Sequence, residues 1–205
     1  MGKNRTIVLG AVLVATLLTG CGGQDAVLEQ HAEAEATSSP ETTEVPAFHF
    51  ESGTLELGDF DPQTLGDDLF DPCTEISEEE FAAAGITGVE NEPAIERASG
   101  GVAKGCASHS PDHGMTRSII STTNNADTAA NAGGYEVQYV ESAVDGSYLL
   151  TNPDLDPNSC FAQVDTDRGA LSIGISLSGI GKDRFDACSI ALEGLESLFG
   201  SSQSD

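Results

Sequence analysis

The 205-residue chain has no tryptophan, two methionines, and eight Lys and Arg against 34 Asp and Glu. So few cations exclude nucleic-acid binding by phosphate neutralisation, because cancelling phosphate charge needs Lys or Arg. Direct adhesion to anionic lipid headgroups is disfavoured for the same reason. The imbalance is also uneven: from Thr6 to Glu96 there are 20 acidic residues and no Lys or Arg. Such a coat keeps a protein soluble and apart from like-charged neighbours, and a surface for cations or a basic partner is the sharper reading. Beyond the N-terminal leader no apolar run approaches the length needed to cross a ~30 Å hydrocarbon core. The chain has no internal repeat. Without tryptophan, a domain of about 150 residues gains from covalent staples, each adding ~2 to 4 kcal/mol.

The leader carries Lys3 and Arg5, then Thr6 to Leu18 (TIVLGAVLVATLL), a mostly apolar run. That run is short for a membrane span and has the length of a signal-peptide core. It ends in Leu18-Thr19-Gly20-Cys21, which resembles the bacterial lipobox, where small residues precede a cysteine that is lipid-modified before cleavage. Residues 1–20 are therefore expected to be a signal peptide, and Cys21 the lipid-bearing first residue of the mature protein. The rival, an uncleaved membrane helix, is opposed by the short run and by Gly22-Gly23. Two acyl chains, at about 0.8 kcal/mol per buried methylene, hold a protein to a bilayer where one binds marginally. The expected location is the extracytoplasmic face of the cell membrane. Loss of Lys3 and Arg5 takes the formal net charge from −26 to −28.

From Gln24 to Ala47 the sequence reads QDAVLEQHAEAEATSSPETTEVPA, with six acids and no Lys or Arg. Such a segment buries too little surface to offset ordering entropy, so residues 21–47 read as a lipidated, disordered tether. Its coil of ~24 residues spans roughly 25 to 30 Å. Residues 48–200 are expected to form the domain and 201–205 a disordered tail.

Four cysteines remain in the exported part, Cys73, Cys106, Cys160 and Cys188. An even number in an oxidising compartment predicts two disulfides. Three pairings are possible and sequence leaves them open; Cys73 with Cys106 and Cys160 with Cys188 is favoured because neighbours close the shorter loops.

Local signals point to an α+β domain: an antiparallel sheet with short N-terminal helices and a C-terminal amphipathic helix packed on it. Asp71-Pro72-Cys73 places a capping residue before proline at a helix start. Ser77 and Glu80 form a capping box ahead of Glu78 to Ala84, with Gly85 as the stop. Leu171, Ile173, Ile175 and Leu177 alternate with Ser172, Gly174, Ser176 and Ser178, the period of a half-buried strand. Cys160 to Val164 precedes them across a turn at Asp165 to Gly169 and reads as the other arm of a hairpin. Tyr135, Val137 and Tyr139 mark another strand, and Arg117 to Thr123 one more. The final helix is expected from Asp183 to Phe199, covering the sheet with Phe185, Cys188, Leu192, Leu195 and Phe199.

Several motifs approach known chemistry and fall short. Gly179-Ile180-Gly181-Lys182 lies between a strand and a helix, as a phosphate loop would, but Ser176 stands at the first glycine position and Asp183 where a hydroxyl belongs. Asp154, Asp156 and Asn158 repeat the first three ligand positions of an EF-hand, yet Ser159 replaces the glycine and Asp165 the bidentate glutamate. Asp59, Asp61, Asp67, Asp68 and Asp71 would gather a hard cation only if the chain returned on itself, and read first as a solvated acidic segment. Cys106, His109 and His113 have zinc-like spacing, but Pro111 and Gly114 oppose the helix that would align the rings, and no fourth ligand follows. Ser172 sits inside a strand rather than on the sharp turn of a nucleophile elbow. No catalytic residue, metal ion or cofactor is expected.

The lipobox, the acidic stalk, Asp71-Pro72-Cys73, Gly105-Cys106 and Asp186-Ala187-Cys188 together resemble the actinobacterial lipoproteins that share a DPC motif and form a domain family of unknown function. The likeness spans Phe70 to Phe199 and departs where Ala107 and Ser108, not an aromatic, follow Cys106. It implies an uncharacterised envelope lipoprotein with no catalytic residues to carry over. More distantly, the four-cysteine plan is similar to extracellular sensor domains of mycobacterial receptor kinases, an analogy of fold that implies ligand sensing. The expected function is non-catalytic binding of an envelope ligand or partner protein. The alternative is a structural or assembly factor of the envelope acting through its acidic surface.

Overall fold

The computed structural model describes residues 45–96, 101–131 and 134–204. Cys21, the leader and the tether up to residue 44 lie outside them.

Among the described residues, nine strands and four α-helices make the α+β domain expected from sequence. A first hairpin pairs β1 (Ala47–Phe50) with β2 (Gly53–Glu56). The remaining strands are β3 (Val89–Glu96), β4 (Val102–Ser110), β5 (Met115–Thr122), β6 (Glu136–Tyr139), β7 (Tyr148–Asn152), β8 (Asp156–Thr166) and β9 (Gly169–Leu177). They form one antiparallel sheet in the order β3-β4-β5-β9-β8-β7-β6. The β8–β9 hairpin is longer and its turn tighter than the sequence indicates: Thr166 pairs with Gly169, leaving Asp167 and Arg168 as the turn. Gly169 at φ 101° supplies a left-handed conformation that a side chain resists.

Register divides the sheet into two faces. Ile173 of β9 lies between Ile119 of β5 and Ala162 of β8, and Cys106 of β4 pairs with Ile119. With Leu171, Ile175, Leu177 and Val164 these residues form the main core. Onto this face pack α1 (Pro72–Glu75), α2 (Glu78–Ala83), the β1–β2 hairpin and the long α4 (Ala187–Ser202). The opposite face holds a smaller core, in which Tyr148 and Leu150 meet Ala126 and Ala129 of α3 (Ala126–Asn131), with Phe161 alongside.

The N-terminal helices follow their local chemistry. The Asp71 carboxylate accepts from the Cys73 N–H, with Pro72 in the first helical position. Ser77 and Glu80 form the reciprocal capping box, and Gly85 (φ 74°) follows the end of α2.

The last helix differs from its predicted form. It begins at Ala187, capped by the Asp186 carboxylate on the Ser189 N–H, so Asp183 and Phe185 precede it. It also continues through Ser202, into the expected tail, and Gln203 donates from Nε2 to the Ala47 carbonyl. Order likewise starts before residue 48: Ala47 is in β1, and Leu57 N–H bonds the Pro46 carbonyl. The buried stripe of α4 is Ala191, Gly194, Leu195, Leu198 and Ser202, while Leu192 and Phe199 lie at its margins. Small residues face the sheet because the helix sits close to it: a Cβ on Gly194 would come 3.0 Å from Ile173 Cγ2. A pattern built on bulky residues misses a contact made by small ones.

Arg168 ties the N-terminal helices to the β8–β9 turn. Its guanidinium binds Glu75 through two bonds of 2.6 and 3.0 Å, donates from Nε to the Asp68 carbonyl, and lies 5.4 Å from the Phe70 ring centre. Burial of Glu75 opposes its charge, but the Arg168 hydrogen bond, the Asp71 N–H and the charges of Arg168 and Lys104 together hold its carboxyl below the usual range.

Candidate functional site

A cleft of about 320 Å³ opens at the end of the sheet where α4 begins. One wall is the β7–β8 turn, with Pro153, Asp156 and Pro157; the other is the segment entering α4, with Lys182, Phe185 and Asp186. The Cys160–Cys188 disulfide joins the walls, fastening β8 to the first turn of α4 and closing a 28-residue separation. Two of the carboxylates are fixed in place. Asp156 accepts from the Asn158 N–H at 3.0 Å and from the Ser176 hydroxyl at 3.2 Å, and Asp186 caps α4 at 2.7 Å. These bonds hold both carboxyls below the usual range, the Asn158 N–H leading for Asp156 and the Ser189 N–H for Asp186.

Phe185 is the large aromatic of the lining, and two exposed apolar residues, Leu155 and Ile180, lie close in sequence to lining residues. Leu155, between the two lining prolines, is 78% exposed; Ile180 is 51% and Phe185 38% exposed. Phe185 meets the His113 ring edge-on with centres 6.2 Å apart. A recess with charged, fixed acceptors, a lysine and apolar members such as Phe185 and Leu177 is suited to holding a molecule with both polar and apolar parts.

A second, shallower recess of about 490 Å³ lies by the β8–β9 turn. Asp59, Asp61, Asp68 and Asp167 line it together with Arg168. The chain therefore does return on itself here, but Asp67 and Asp71 are not among its lining. Among the described residues no group of three or more His, Cys, Asp or Glu has metal-binding geometry.

Of the two disulfides expected from sequence, one is present among the described residues. Cys160 and Cys188 are disulfide-bonded. Cys106 is buried on the core face of β4, and its thiol is hydrogen-bonded to Cys73 at the start of α1. The structure thus shows one disulfide, and a contact between the other two sulfurs.

The remaining motifs have structural roles. Gly179–Gly181 forms a single 3-10 turn, with Asp183 and Phe185 still ahead of the helix. His109 is exposed and bonds Thr116 at 3.2 Å, whereas Cys106 faces the core, so these two lie on opposite faces of β4, and His113 lies beyond the strand in the 3-10 turn Pro111–His113. Ser172 lies in β9 with a buried hydroxyl that has no partner among the described residues, as do Ser121 and the Nε of Arg117. Arg117 is half-buried, which pushes its basicity down.

One polar network had no sequence signal. Tyr148 donates to Asp165 at 2.6 Å, and Gln163 donates from Nε2 to the Tyr148 hydroxyl at 2.7 Å and to the Asn124 carbonyl at 2.9 Å. Burial, then the Asp165 charge, pushes the Tyr148 phenol far up, and burial raises Asp165 as well. A tyrosine so held keeps its proton and fastens β7 and β8 to the loop before α3. Tyr148 stands opposite Gln163 across β7 and β8, Asp165 is two positions further along β8 and Asn124 lies in a separate loop, so their sequence separations of 15 to 39 leave no local motif.

A family model, protein of unknown function (DUF3558), matches residues 16–200. The chain belongs to this family. In this DUF3558 protein the match includes both cysteine pairs, both recesses and all four helices up to Gly200. Neither the curated proteins nor the solved structures compared with it include a match. No described helix is long and apolar enough to cross a membrane.

Proposed function

We propose that this DUF3558 protein is a lipoprotein of the cell envelope, anchored through Cys21, whose domain holds a small envelope ligand or a partner protein in the cleft at the start of α4. Binding is not followed by chemistry, and both cysteine pairs are oxidised in the mature protein. The observation that carries this reading is the cleft itself: Asp156 and Asp186, both fixed by hydrogen bonds, line it together with the partly exposed Phe185. Lys182 is among its lining and supplies the opposite charge. The leader, the Leu18-Thr19-Gly20-Cys21 motif and the acidic tether support the anchor.

A thermal-shift screen of the mature chain against envelope metabolites and divalent ions tests the proposal. A ligand at 100 times its Kd adds about 2.7 kcal/mol to stability, which a melting curve resolves. The shift should disappear in Phe185→Ala and Lys182→Ala. The acidic recess favours a second reading, an assembly factor that docks a basic partner on Asp59, Asp61, Asp68 and Asp167. If no compound moves the midpoint while a crosslinker placed at that recess captures one protein neighbour reproducibly, the cleft proposal falls and the second reading stands.

A further inference from the structure

We propose that Cys73 is the entry point through which oxidant reaches the second cysteine pair, and that Cys106 resolves the bond to give a Cys73–Cys106 disulfide. The inference rests on the oxidised state proposed above and adds a site of modification and an order of events to it.

Cys73 packs against the core cluster that holds Cys106, with α1 lying on β4, and the two side chains are in hydrogen-bonding contact. Contacts on both sides hold Cys73 over the sheet. Before it, the Asp71 carboxylate accepts its N–H at 3.2 Å, and the Lys104 ammonium, two residues from Cys106 on β4, donates to the Leu69 carbonyl at 2.9 Å. After it, Arg168 grips Glu75 through both guanidinium nitrogens. The two thiols differ in access. Cys106 is 1% exposed in the main core, whereas Cys73 is half-buried at the edge of that core. An external disulfide is shut out from the first and has the nearer approach to the second. Burial also pushes the Cys106 thiol up, which lowers the thiolate fraction available for a first attack.

The chemistry balances as an exchange with a protein or low-molecular-weight disulfide. Cys73 gives up its proton, its thiolate attacks one sulfur of that disulfide, and the other sulfur leaves as a thiolate. Cys106 then loses its proton and attacks the Cys73 sulfur of the mixed disulfide, releasing the second half of the oxidant. One S–S bond forms in the chain, one breaks in the oxidant, and the oxidant leaves as two thiols.

The test uses the mature chain, reduced, then exposed to glutathione disulfide, quenched in acid and mapped by mass spectrometry of a non-reduced digest. Wild type should end with Cys73 linked to Cys106. Cys106→Ser should accumulate glutathione on Cys73, and Cys73→Ser should take it up at Cys106 at least about tenfold more slowly, because a buried sulfur is shielded from the oxidant. Cys106→Ala, which buries no hydroxyl, repeats the measurement if the serine variant folds poorly. Equal rates in the Cys73 and Cys106 variants would overturn the order while leaving the bridge. A wild-type chain that forms Cys160–Cys188 but keeps thiols at Cys73 and Cys106 would overturn the bridge and the oxidised state proposed for this pair.

Discussion

Two glycines of α4 give opposite predictions from one helix. Gly194 faces the sheet, where a Cβ would lie 3.0 Å from Ile173 Cγ2, and Ile173 is fully buried between β5 and β8. Gly200, less than two turns later, is exposed with nothing within 4 Å of its Cβ position. Replacing either by alanine gains up to about 1 kcal/mol in helix propensity. At Gly200 that gain stands nearly alone, reduced only by its place in the last turn. At Gly194 it is offset by displacing a side chain that has no room to move, so Gly194→Ala should be close to neutral. Gly194→Leu adds three further carbons at the tightest point, and overpacking of this kind costs about 1–3 kcal/mol. The net expectation is a loss of about 2 kcal/mol, or roughly 4–8 °C in Tm for a domain of this size. Urea unfolding followed by circular dichroism gives the three values side by side. A stabilised Gly194→Leu would refute the close approach of helix and sheet, and with it the assignment of Ala191, Gly194 and Leu198 to the buried stripe.

Three further outcomes are expected. Arg168→Ala removes two bonds to Glu75, one to the Asp68 carbonyl and the contact with Phe70, all partly exposed, and should cost about 1–2 kcal/mol in urea unfolding; no loss would mean that the clasp does not hold the N-terminal helices. Burial raises the Asp165 carboxyl, so the folded state keeps a proton that the unfolded chain has released, and stability should fall as pH rises through the folded-state pKa. Asp165→Asn should flatten that slope, whereas Glu75, depressed by Arg168, makes its contribution above the usual glutamate range and loses it as pH falls; an unchanged slope in Asp165→Asn would assign it to other groups. Cys160→Ala with Cys188→Ala opens a 28-residue separation and should cost about 3.5 kcal/mol by loop entropy, measured in the same unfolding assay, with a loss under about 1 kcal/mol contradicting it.

The parts legible in sequence are those whose signal is local. The Ser77–Glu80 capping box and the Asp71 cap appear as expected because both are hydrogen bonds closed within one turn. β9 reads correctly because Leu171, Ile173, Ile175 and Leu177 all face the main core. β4 has no such amplitude: its inward residues include Cys106 and Ser108, and its outward ones Ala103 and Ala107 are buried as well, so no alternation of polarity survives. The β1–β2 hairpin has strands of four residues each, and α3 covers its core with two alanines, too little for a periodic signal. The cleft was not legible at all. Asp156 and Lys182 come from different parts of the chain and line one cleft only because β8, β9 and α4 are adjacent in space.

The measurement closest to the centre of the account is the intact mass of the protein extracted from membranes without reducing agent. A chain beginning at Cys21, carrying diacylglycerol and lacking four thiol hydrogens, is the predicted result. An unacylated chain beginning at Met1, recovered from the cytosol with its thiols intact, would contradict it.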